Sequence, residues 1–174
     1  MAYATPAQYV QAFGLSEALQ MLQDEEHTLT PEALQAGLVA IAAGAVVADA
    51  VAAAALARLP AKLDNTSNPM DGYMRAAVTL PLTAGQLLGT LQECCLALTR
   101  CLLADDTDNA TERMDKCCET WRAWLKDVAS GKVKLVDPDG EELGGGSSGR
   151  VVTGHVAPAY DYAAMAGFGG GYRP

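Results

Sequence analysis

Seven side chains in this 174-residue sequence could bind a metal ion or exchange electrons: Cys94, Cys95, Cys101, Cys117, Cys118, His27 and His155. Zinc needs four converging nitrogen or sulfur ligands, supplied in sequence by close pairs such as C-x-x-C. No such pair occurs here. The cysteines form two adjacent pairs and one single, and no spacing among them and the two histidines matches a zinc site. Cys94 and Cys101 lie seven residues apart, on one face of the helix expected there. The favoured reading of all five is small buried hydrophobes in a reducing cytosol, with a redox or metal role as the alternative.

Catalytic constellations are missing as well. The sequence has no phosphate-binding loop, no G-x-S-x-G, no H-E-x-x-H and no paired cysteine and histidine. His27 lies in the polar run DEEHT and His155 in the C-terminal tail, and both are expected to face solvent. Asp49 is the one carboxylate on an apolar stretch, where it is expected to meet an arginine or a helix end in an assembly. The segment GFGGGY is not a dinucleotide fingerprint, because no strand precedes it and the two residues left are too few for a helix after it. The expectation is a non-enzymatic protein without cofactor or metal.

The elements that hold these residues follow from composition. Half of the residues are hydrophobic, much of that alanine, and aromatics make up 6%. Alanine favours helix but buries little area, which predicts a thin core thickened by neighbouring subunits. The net charge of −9 argues against a DNA-binding module. A ring of such subunits would repel a phosphate backbone and let DNA slide through.

Along the chain, Thr5-Pro6 and Thr30-Pro31 are cap-then-proline helix starts, with Gly14 a stop between them. Tyr9, Val10 and Phe13 share a side of the first helix, and Ser16 is a candidate cap for a second through Leu19 and Leu22. Thr30 opens a long alanine-rich helix that Pro60 is expected to end near Leu59. Within it, Ala36 to Leu59 is long enough to span a bilayer. Its alanine content, its glycines and the central Asp49 favour a buried or subunit-facing helix instead. Residues 62–71 (KLDNTSNPMD) read as an exposed loop.

Thr83 and Gln86 form a capping-box pattern that opens a helix over about 84–103. The run Asp105-Asp106-Thr107-Asp108-Asn109 breaks it and caps a second helix over about 110–129, stopped by Gly131. The two form an antiparallel hairpin, with Trp121, Trp124, Leu125 and Val128 as its large core or interface side chains. Residues 132–136 alternate like a short β segment, and Asp137-Pro138-Asp139-Gly140 reads as a turn.

From 137 onward the chain reads as a glycine-rich linker and an extended C-terminal arm, distinct from a helical domain over 1–136. GGGSSG at 144–149 is linker composition. Val151, Val152, Tyr160, Tyr162, Met165, Phe168 and Tyr172 are spaced among glycines and alanines. They cannot form a core alone, but each can anchor in a pocket of a partner. A tail without fixed structure is the alternative.

Three segments, in order, carry a family resemblance. They are Tyr3-x-Thr5 with Phe13-Gly14, then Asp71-Gly72-Tyr73-Met74-Arg75 leading to Thr79-Leu80-Pro81-Leu82, then Trp124 to Val133 (WLKDVASGKV). Over residues 1–136 the chain resembles a protein family described from Mu-like phages. In that family the helix before the middle segment runs straight into it, whereas here Pro60 and the polar run to Pro69 predict an interruption.

The resemblance implies a head–tail connector, or adaptor, in the virion neck, assembled in the host cytoplasm. Its implied partners are sister subunits in a ring, commonly twelve-fold, a portal protein, and a tail-side neck or terminator protein. DNA would pass through without sequence-specific binding, and no membrane is involved. A DNA-packaging accessory ring of the small-terminase kind is the alternative, but it would need a basic recognition helix, and none is found. A membrane-associated phage protein built on residues 36–59 is a further one.

Overall fold

The threonine-proline starts form as expected. A computed structural model describes residues 3–23, 26–83, 86, 89–107, 109–137 and 142–143. Thr5 caps α1 (Pro6–Phe13): its hydroxyl accepts the Gln8 N–H, and the Gln8 side chain accepts the Thr5 N–H at 2.8 Å. Gly14, at φ +85°, ends α1 by donating its N–H to the Val10 carbonyl. It also opens α2 (Leu15–Leu22), so the cap expected at Ser16 falls two residues earlier. Thr30 caps α3 (Pro31–Ala42) by accepting the Ala33 N–H.

The long alanine-rich helix is divided. Gly44 takes a positive φ of 68°, which glycine adopts at little cost, and the N–H groups of Ala43, Gly44 and Ala45 turn back onto carbonyls of α3. A new helix, α4 (Ala50–Met74), starts beyond Asp49, whose carboxylate accepts the Ala52 N–H at 2.8 Å. Asp49 therefore does meet a helix end, the one it caps itself. The break lets α3 fold back against α4, and Gly37 makes the approach close. A Cβ at that position would lie 2.5 Å from Leu56 Cδ1.

Pro60 does not end α4, nor does Pro69, so the loop expected over 62–71 is helix. Internal prolines cost a helix on the order of 3 kcal/mol each. Against that cost, Leu59, Leu63, Met70 and Met74 are all buried, each contributing roughly 1.5–3 kcal/mol. With Thr66 and Ser67 they form one stripe at helical spacing, while Pro60 and Pro69 themselves face outward. Tertiary burial overrides the local breakers.

The hairpin is formed by α5 (Gly89–Asp106) and α6 (Glu112–Ala129). The side chain of Gln86 accepts the Thr83 N–H at 3.1 Å, the expected capping contact; residues 84, 85, 87 and 88 of the expected helix lie outside the described residues. Thr111, not the acidic run, caps α6 by accepting the Met114 N–H. Gly131, at φ +75°, closes it with an N–H to the Val128 carbonyl.

Side-chain pairs set the register of the three long helices. Lys62 pairs with Asp106, Thr66 with Thr99 and Ser67 with Cys95, so α5 runs antiparallel to α4. Cys101 and Cys118 are joined as a disulfide, with Cα atoms 6.6 Å apart, and α6 returns antiparallel to α5. The C-terminal end of α6 thus lies at the Met74 end of α4. Arg100 clamps the first two helices to this bundle. It donates two hydrogen bonds to the Glu17 carboxylate, one at 2.8 Å, and lies 4.9 Å over the Phe13 ring.

Beyond α6, Leu135 and Leu143 are buried in the common core, and the Leu143 N–H bonds to the Leu135 carbonyl at 2.8 Å. The β-like segment amounts to one antiparallel bridge, Val136 with Glu142, flanked by the Lys134–Glu142 ion pair. The chain is mainly helical, with six helices among the described residues.

Candidate interaction surfaces

The groups with potential for chemistry are held apart or buried. Cys94 and Cys95 are buried in α5, while Cys117 is exposed. Burial pushes the Cys94 thiol up to about 12, with Cys95 and Cys117 adding to the shift. Burial also raises the Cys95 thiol, opposed by hydrogen bonds from Ser67, Thr99 and the Tyr3 backbone. Both thiols stay protonated and poorly nucleophilic. The reading of every cysteine as a simple buried hydrophobe is corrected for three of them, since Cys101 and Cys118 are bonded and Cys117 is on the surface. Among the described residues no three histidine, cysteine or carboxylate groups are placed to hold a metal ion.

A buried polar seam joins α4, α5 and the N-terminus. The Thr99 hydroxyl donates to Thr66, which donates to the Lys62 carbonyl, both at 3.0 Å. The Ser67 hydroxyl donates to the Leu63 carbonyl at 2.7 Å and accepts the Tyr3 N–H at 3.4 Å. Tyr3 also donates its own hydroxyl to the Asp71 carboxylate. Burial, reinforced by that carboxylate, holds the Tyr3 phenol in its neutral form. Every polar group named here has a partner, so the seam fixes register rather than awaiting a ligand.

Contact potential lies elsewhere. Residues 33–48 contain no charged side chain, and at their end Val46 is 91% exposed, Val39 60% and Ile41 44%. With Ala42, Ala43, Gly44 and Ala45 also exposed, the turn between α3 and α4 is an apolar tip. Asp49 borders it at the start of α4, while Glu32 lies in the first turn of α3, about 15 Å along that helix from Ala42. The chain has no lysine or arginine before Arg58.

Leu125 and Val128 are buried on the inner face of α6. Trp121 and Trp124 are half-buried beside them, in edge-to-face contact at 5.6 Å. The proposed tail anchors Val151, Val152, Tyr160, Tyr162, Met165, Phe168 and Tyr172 lie outside the described residues. Sequence reasoning missed the seam and the exposed tip. Gly44 followed five residues later by Asp49 was the available signal for the tip.

Together these features define a class: a mainly helical body whose interhelical polar seam is satisfied internally and which presents an exposed apolar tip. Its sequence matches the family described as Bacteriophage Mu, Gp36, over residues 3–153, and the chain belongs to that family. It is a Mu-like phage protein with a structural or morphogenetic, virion-associated role. The match takes in all three segments that carried the resemblance. No curated protein and no solved structure matches the chain. No helix among the described residues is long and apolar enough to cross a membrane.

Proposed function

We propose that the protein is a non-catalytic, ring-forming head–tail connector subunit that binds the portal, extends the DNA channel and offers a platform to the tail. The observation that carries this reading is the apolar tip at Val39, Ile41 and Val46 on a Mu-family phage protein. Exposed valine and isoleucine beside the acid Asp49 form a surface suited to protein contact. The charge distribution supports the same role. Six carboxylates and no lysine or arginine in the first 57 positions give an acidic region that would repel passing DNA.

Mass measurement of the purified protein, alone and mixed with a candidate portal, tests the proposal. The expected result is a portal-bound complex with many copies of the chain. A protein that stays a monomer and leaves the portal's mass unchanged would sink it.

A further inference from the structure

We propose that the apolar tip of one copy is the docking site for the C-terminal tail, residues 150–174, of a neighbouring copy. The inference rests on the ring-subunit reading and names which surface meets which.

The apolar inventory selects the occupant. Among the described residues the exposed large hydrophobics are Val39, Ile41, Val46 and Val136. Three of the four are the tip itself. Among the described residues a second helical body offers the tip another tip, the isolated Val136 and the half-buried Trp121–Trp124 pair. Tip-to-tip pairing would close a two-fold dimer and set Asp49 near its own copy. The tail supplies a further set of apolar side chains: Val151, Val152, Tyr160, Tyr162, Met165, Phe168 and Tyr172.

Charge agrees with this pairing. Residues 144–174 carry Arg150 and Arg173 against one acid, Asp161, a net of +1. The other ten basic and twenty acidic side chains give residues 1–143 a net of −10. The two arginines bracket the tail's anchors in sequence, and the carboxylate of Asp49 stands beside the tip.

Placement and the ring-subunit reading together assign the tail to a neighbour's tip. The tip sits at the Ala50 end of α4, while the register of α4, α5 and α6 brings the end of α6 to the Met74 end. A 25-residue helix separates the two, about 37 Å at 1.5 Å per residue. Val151 follows Leu143 by eight residues, a reach of at most about 28 Å, and Tyr160 follows it by seventeen, a reach of at most about 60 Å. The later anchors are long enough in chain for either tip; the ring-subunit reading assigns them to a neighbour's, a contact between different surfaces of two copies. Such a heterologous contact builds rings or filaments.

Photo-cross-linking of the full-length protein tests this. p-Benzoylphenylalanine is placed at Val46, and isotope-labelled and unlabelled copies are mixed at several hundred micromolar. Adducts between differently labelled copies, mapping to residues 150–174, are expected. Adducts confined to helical residues, adducts only within one chain, or none at all overturn the inference. Val46→Asp, at a surface position, is expected to keep the wild-type helical circular dichroism and weaken self-association at least tenfold. Unchanged self-association of that variant also counts against it. If the wild-type protein joins a portal but Val46 cross-links only to the portal, tail docking fails while the connector reading stands.

Discussion

The Thr99 hydroxyl donates a 3.0 Å hydrogen bond to the Thr66 hydroxyl across the α4–α5 interface, with both residues buried. Two threonines 33 positions apart thereby lock a helix that contains two prolines. Thr66→Val keeps the shape but leaves Thr99 without this acceptor, at an expected cost of about 1–3 kcal/mol. Thr66→Val with Thr99→Val is expected to recover part of that loss. Urea unfolding of the single and double variants checks it, and additive losses would contradict the coupling.

Asp49 decides where α4 begins. Asp49→Ala removes the acceptor for the Ala52 N–H and is expected to destabilise by about 1 kcal/mol, with Asp49→Asn close to wild type. Thermal melts of the two variants compare these outcomes. Equal losses in both would mean that the carboxylate charge, not the cap, is what counts.

The thiols should titrate in three stages. Only Cys117 is an exposed free cysteine, so the native protein is expected to show one fast-reacting thiol. Unfolding without reductant should expose Cys94 and Cys95 as well, giving three. Reduction then frees Cys101 and Cys118 and brings the count to the five in the sequence. Five thiols before reduction would rule out the Cys101–Cys118 bond.

Stability is expected to fall at alkaline pH. Burial is the largest cause of the raised values of Tyr3, Tyr9, Cys94 and Cys95, so all four are held neutral in the fold. The unfolded chain releases these protons first, at ordinary values of about 9 to 10. The stabilisation is complete below that range and is lost as pH rises toward the folded value of about 12 for Cys94. Urea midpoints measured from pH 8 to 11 should decline, and Cys94→Ala should decline less steeply. A flat profile would contradict the burial.

Local chemistry was legible in the sequence wherever a few neighbouring residues decide it. Thr5 and Thr30 before prolines, Gly14 and Gly131 at helix ends, and the α5–α6 hairpin all follow from capping and periodicity within a turn or two. Family membership was legible too, in three short segments. What the sequence could not reveal depended on contacts between distant positions. Pro60 and Pro69 read as breakers because their cost is local, whereas burial of Leu63, Met70 and Met74 is earned only once α5 lies against them. Cys101 finds Cys118, and Arg100 finds Glu17, only through the same packing. Exposure of Val46 and burial of Leu56 were likewise indistinguishable by type, since both sit in one alanine-rich run. Tertiary structure alone decided which hydrophobic residues the body keeps and which it presents.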